Sequence, residues 1–149
     1  MINEKKGNLF NEINDFDVLI HGCNCFCSMG KGFALPVKER YPSAYTADKL
    51  TIKGDKSKLG KYSLGFHKEK DKTLTIINAY TQYRYGYGGP HFDMNAWKSV
   101  LKLIKLNFSG KRFVLPKIGS GLAGGDWLAI RKVLEEELGD EDVWVINID

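Results

Sequence analysis

No stretch of this 149-residue chain approaches the roughly 18 consecutive apolar residues that a membrane span needs. The first residues, Met1-Ile2-Asn3-Glu4-Lys5-Lys6, also lack the apolar core of a secretion signal. A cytoplasmic protein with no membrane partner is expected. Cysteine is scarce: Cys23, Cys25 and Cys27, the only three, alternate in one short segment, too few and too close for a disulfide framework. They also lack the paired CxxC of most zinc sites, so reduced thiols and no metal are expected. Charge of one sign does not dominate either. A net charge of +4 agrees with an anionic ligand but falls short of the clustered footprint of a dedicated nucleic-acid binder. The densest basic stretch, residues 49–61 with Lys53, Lys56 and Lys58, reads as a solvated surface loop. There is no repeat, low-complexity segment or linker, and 43% hydrophobic content suffices for one domain, residues 1–149, with one core.

What is present is glycine in two particular places. Lys117-Ile118-Gly119-Ser120-Gly121-Leu122-Ala123-Gly124-Gly125-Asp126-Trp127 sets four glycines and a carboxylate between an apolar strand pattern and an amphipathic helix pattern. Glycines let the backbone approach a ligand closely, so that successive N–H groups converge on phosphate oxygens while the helix N-terminus adds its dipole. The loop lacks the Lys-Ser/Thr pair of a Walker A motif and the glycine spacing of the dinucleotide fingerprint. A different phosphate-binding family is implied. The second glycine loop holds Gly30 and Gly32 and follows the apolar run Val18-Leu19-Ile20.

Each loop lies between a strand and a helix. Residues 33–41 read as a helix with Pro36 in its first turn and Pro42 as its stop. Arg112 to Leu115 read as a strand, and Trp127, Ile130, Leu134 and Leu138 fall on one face of a helix that Gly139 ends. Tyr62 to His67 and Leu74 to Ala79 read as adjacent strands turning at Lys68 to Lys72. Asp93 to Asn107 carries Trp97, Val100, Leu101 and Ile104 at helical spacing, and Val143 to Ile148 is a last strand. Trp97 and Trp144 are expected in the core. This alternation predicts a three-layer α/β/α domain with a central mixed sheet of about six strands and ligands at the C-terminal strand ends.

With both loops in place, the chain resembles the macro domain family, whose members bind ADP-ribose and close derivatives. Gly7-Asn8-Leu9-Phe10 is similar to the family's Gly-Asp-(Ile/Leu) segment after the first strand. His21-Gly22-Cys23-Asn24 and Gly30-Lys31-Gly32-Phe33-Ala34 resemble its first ligand loop, and Pro116 to Trp127 its diphosphate loop. Within the family the match is nearest to small ADP-ribose 1″-phosphate phosphatases found in yeast and bacteriophages. The branch that frees glutamate side chains of ADP-ribose uses a lysine adduct and an aspartate directly after Gly-Leu. Here that position is Ala123, and Ala79-Tyr80-Thr81-Gln82 holds no lysine, which disfavours that chemistry. Asn8 stands where the family has an aspartate for the adenine amino group; its side-chain oxygen accepts without charge assistance.

The resemblance implies a ligand, ADP-ribose or ADP-ribose 1″-phosphate, bound by Asn8, Leu9, Gly30, Gly32, Phe33, Gly119, Ser120, Gly121, Leu122, Ala123 and Gly124, with no cofactor. Asn24 would hold the distal ribose hydroxyls, or simply satisfy its own turn. His21 would protonate the departing sugar oxygen or accept a phosphoryl group, since imidazole titrates near neutral pH; its plain alternative is a core histidine bonded to backbone. Asp126 would take a proton from an attacking water or orient His21, or only cap its helix. Tyr80 to Pro90 reads as an aromatic cover, with Arg84 near a terminal phosphate and Tyr83, Tyr85 or Tyr87 stacking. Three functions fit: a phosphatase acting as a monomer, a non-catalytic ADP-ribose reader, and, least of all, a single-stranded RNA binder using those aromatics.

Overall fold

The computed structural model describes residues 2–86, 89–120 and 123–148. A six-stranded sheet runs through its centre in the order β1-β6-β5-β2-β4-β3. Strands β1 (Ile2–Lys6), β2 (Val18–Cys23), β4 (Lys72–Tyr80), β5 (Arg112–Leu115) and β6 (Asp142–Asn147) are parallel to their neighbours in that order. Strand β3 (Tyr62–Glu69) closes one edge antiparallel to β4. Helices α1 (Ala34–Arg40) and α2 (Pro42–Lys49) cover one face, and α3 (Met94–Phe108) and α4 (Trp127–Leu138) the other. This is the three-layer architecture that the alternation of strand and helix patterns predicts.

Side chains alternate across each strand, so one strand feeds both cores. Val18 and Ile20 of β2 pack with Trp97, Leu101, Ile130 and Leu134 of α3 and α4, whereas Leu19 packs with Val37 of α1, Ala44 of α2 and Tyr41 between them. Trp97 is fully buried and donates its indole N–H to the Ile130 carbonyl at 3.0 Å, tying α3 to α4. Each helix opens on an aspartate cap: Asp93 accepts from the Ala96 N–H and Asp126 from the Leu128 N–H, both at 3.0 Å.

Three expectations change. Pro42 ends α1 but also occupies the first position of α2, where its missing N–H costs nothing. That second helix leaves little trace in the sequence because only Ala44 and Asp48 of its eight residues are buried. Lys58 is not a solvated loop residue: it is 8% exposed, its ammonium donates to Thr51 Oγ1 at 2.8 Å and sits 5.1 Å from the centre of the Tyr80 ring. Trp144 is half-buried rather than in the core, with its indole N–H held at the surface by Asp142 at 3.1 Å.

The tightest contact between layers is α2 on β3. A Cβ placed on Gly65 would lie 2.4 Å from Ala44 Cα, so only glycine lets the helix backbone come this near. Gly65→Ala is expected to destabilise the fold by about 1–3 kcal/mol through overpacking. Urea unfolding at fixed pH measures this; an unchanged midpoint would mean that α2 can lift from the sheet at no cost.

Candidate active site

The parallel strands end together, and a cleft of about 620 Å³ opens over their C-terminal edge. Four connections build its walls: the segment after β2, the segment after β5, the segment after β4 and the end of β6 at Asn147. Ligands sit at this edge in open α/β sheets because loops leave there in opposite directions and part the layers. His21, Asn24, Gly30, Gly32 and Phe33 line it from the β2 side, and Gly119, Ser120 and Ala123 from the β5 side.

Two glycines shape the walls. Gly119 has φ +78°, and a Cβ there would meet the Phe92 ring at 2.4 Å, so the loop can turn only on top of that ring. The turn is closed by the Gly125 N–H donating to the Gly119 carbonyl at 2.6 Å. The His91 N–H, at 2.8 Å, and the Phe92 N–H, at 3.3 Å, both donate to the Ala123 carbonyl, pinning the loop to the segment after β4. Gly32 differs, with φ +60° and no atom within 4 Å of a Cβ position, which leaves its backbone bare toward the cleft.

The polar groups divide by what they already hold. Asn24 accepts the Phe26 N–H through Oδ1 and donates through Nδ2 to the Ser28 carbonyl, both at 2.9 Å, so its own loop fixes it. One amide hydrogen and one lone pair remain for a ligand. Ser120 donates its hydroxyl to the Lys117 carbonyl at 2.9 Å, inside the loop. His21 is 1% exposed, and its Nε2 lies 2.6 Å from Asn78 Oδ1. Burial outweighs that hydrogen bond and lowers its pKa from 6.5 to about 4, so the ring is neutral at pH 7. Burial also pushes the Cys23 thiol well above its ordinary range, which leaves no thiolate.

Lys31 and Lys117 line the cleft, and among its described lining residues there is no carboxylate. Two cations, backbone N–H groups and no acid make a surface for an anion. Neither lysine stands out in sequence, since each sits inside a glycine motif whose glycines draw attention first.

The remaining predicted residues lie elsewhere. Asn8 is exposed and accepts the Phe10 N–H at 3.1 Å, and Leu9 is buried in the α1/α2 core. Gly124 is exposed beside Pro90, and Asp126 is exposed at the cap of α4; none of these four lines the cleft. Gly121, Leu122 and Tyr87 lie outside the described residues. Tyr85 lines the cleft with Gln82 and is held edge-on to Phe26 at 6.2 Å, and Tyr83 packs on Phe26 at 4.9 Å. Arg84 sits 5.7 Å from the Tyr83 ring.

Fold and cleft define a three-layer α/β/α domain with an open cleft at the C-terminal edge of its sheet. No protein-family model matches the chain. An uncharacterized 17.5 kDa protein of the tk-vs intergenic region of Enterobacteria phage T4 is 31% identical, over 87% of this chain and 84% of its own length. A DNA ADP-ribosyl glycohydrolase of Mycobacterium tuberculosis is 30% identical over 76% of this chain, which spans only 32% of that protein. An ADP-ribose 1″-phosphate phosphatase of Saccharomyces cerevisiae is 25% identical over 96% of each chain. The solved macrodomain of Mycobacterium tuberculosis DarG superposes with a TM-score of 0.75 at 27% identity, covering 99% of this chain and 97% of its own. The chain belongs to the macro domain family.

The buried histidine carries a pH signature. Its pKa is about 4 when folded and 6.5 when exposed, so the unfolded chain binds the extra proton between those values. This contribution to stability is whole above pH 6.5 and drains away as pH falls to 4, by about 3 kcal/mol in all. Urea unfolding from pH 7.5 to 4 is expected to show a steeper loss for the native protein than for His21→Gln. Parallel pH profiles for the two would contradict the buried, neutral imidazole.

Proposed function

We propose that the chain is a phosphoric monoester hydrolase that binds the ADP-ribose moiety in this cleft and releases phosphate from ADP-ribose 1″-phosphate. The observation that carries this reading is the composition of the cleft wall: Lys31, Lys117 and two glycine loops, with no carboxylate among its described lining residues, and a neutral His21 beside Asn24. Phosphoryl transfer depends mostly on positioning and charge stabilisation, and such a wall supplies both. The diphosphate would lie on the N–H groups of Gly119, Ser120 and Ala123 and of residues 30–33, with Asn24 on the distal ribose. Water attacks phosphorus, its oxygen joins the phosphate, the bond from phosphorus to the ribose oxygen breaks, and that oxygen takes up a proton. Similarity to the yeast phosphatase along nearly the whole of both chains supports the same substrate.

Asp126 enters as the cap of α4, which orients that helix N-terminus behind the diphosphate loop, and as a base acting from outside the lining. Substitution separates these roles. As a cap alone, Asp126→Ala costs about 1 kcal/mol of stability and little turnover; as a base it costs about 10²- to 10⁴-fold in kcat.

A second reading is favoured by the mycobacterial relative: release of ADP-ribose from DNA. Ala123 and the lysine-free segment 79–82 argue against the glutamate-freeing branch and do not bear on this reading. Incubation with ADP-ribose 1″-phosphate and, separately, with an ADP-ribosylated single-stranded oligonucleotide decides between the two readings. Phosphate release from the first, abolished in His21→Ala with ADP-ribose affinity retained, is the expected result. Release of ADP-ribose from the oligonucleotide alone would establish the second reading, and binding of ADP-ribose without either reaction would leave a reader.

A further inference from the structure

Three adjacent strands place a polar row under α2. His21 of β2 stands opposite Asn78 of β4, and Asn78 opposite Ser63 of β3. Asn78 is fully buried, on the face that Ala44 of α2 covers. Such a residue survives in a core only if its amide is fully employed. The Ala44 carbonyl lies 2.9 Å from one end of that amide, and a carbonyl can only accept, so that end is the nitrogen. The nitrogen's second hydrogen goes to Ser63 Oγ at 3.0 Å.

The other end of the amide is therefore the oxygen, and it faces His21 Nε2 at 2.6 Å. An oxygen acceptor at that distance needs an N–H. Beyond Ser63 the same direction continues: Tyr80 gives its one hydroxyl hydrogen to Asp48 Oδ1 at 2.7 Å, so the 2.8 Å bond between Ser63 Oγ and Tyr80 Oη is donated by Ser63. Asp48 is 1% exposed and its second oxygen has no partner among the described residues. Every donor in the chain points away from the cleft and toward this carboxylate. Because an amide sits in the middle, the chain conveys orientation and does not conduct protons.

We propose that Asn78 is a positioning residue that locks His21 in the Nε2–H tautomer, leaving the Nδ1 lone pair as the imidazole's only acceptor for a ligand in the cleft. The nearest competitor for that lone pair is the Cys23 thiol, 3.8 Å from Nδ1 and 3.6 Å from Nε2. With Nε2 already protonated, the thiol can donate only to Nδ1, and a thiol at that distance is a weak donor that a hydroxyl displaces. His21 then receives a proton, from water or from a ribose hydroxyl, before it can return one. Of its two chemistries expected from sequence, direct protonation of the departing oxygen has no proton to give at the outset. What His21 does to a substrate rests on the phosphatase reading; its tautomer does not.

Long-range proton–nitrogen NMR correlation on the full ¹⁵N-labelled chain at pH 7 reads the tautomer directly. The expected His21 pattern is a protonated Nε2 and a bare Nδ1. An Nδ1–H ring or an imidazolium in the native protein overturns the proposal without any variant. Asn78→Leu is expected to release the ring to a mixture of tautomers and, in the phosphate-release assay, to lower kcat by about 10- to 10²-fold with less effect on KM. A folded Asn78→Leu that keeps the pure Nε2–H form also overturns it. Should that variant not fold, Ser63→Ala serves: the Ala44 carbonyl still holds the amide, so the native tautomer is expected to persist, and a switch to Nδ1–H would show that Asn78 is not the lock. Absence of turnover in the native protein would sink the phosphatase reading and leave the tautomer result standing.

Discussion

The approach of α2 to the sheet is the contact on which the rest depends. Gly65 lets the helix backbone descend on β3 until the Ala44 carbonyl meets the side chain of Asn78 on the neighbouring strand. One close approach thereby closes the α1/α2 core, satisfies a buried amide and sets which way that amide faces the cleft. It also brings Asp48, one helical turn further on, over Tyr80. A methyl group at position 65 would disturb a packing layer and a hydrogen-bond direction together.

The cleft itself relies on backbone and cations rather than on acids. Its described lining has Lys31, Lys117 and turning glycines but no carboxylate, and its histidine is kept neutral by burial. Turning glycines and backbone N–H groups give the cleft wall fixed dipoles that need no reorganisation to meet an anion. Burying an imidazole beside an amide, where no carboxylate could raise its basicity, keeps it in its unprotonated form over the whole neutral range.

Much of this was legible in the residues. The spacing of Trp97, Val100, Leu101 and Ile104 and of Trp127, Ile130, Leu134 and Leu138 announced α3 and α4, since both helices bury one broad apolar stripe. The glycine loops announced the cleft because bare backbone is a local property. What stayed hidden depends on neighbours distant in sequence. α2 buries too little to show a period, Lys58 sits against Tyr80 of β4, far from it in sequence, and Asn78 reads as an ordinary polar residue in an apolar strand. Its significance comes from cross-strand register with His21 and Ser63, which no single segment encodes. Asn8 and Asp126 show the converse: each matches a ligand motif, and each has local capping work that the same side chain performs.

The glycine loop after β5 is pinned to the segment after β4. Phe92 lies beneath Gly119, and the backbone N–H groups of His91 and Phe92 hold the Ala123 carbonyl, while the same segment leads back to Tyr85 on the opposite wall. The two walls, contributed by different strands, are thus one jaw rather than two. Phe92, the ring that ties them together, does not itself line the cleft.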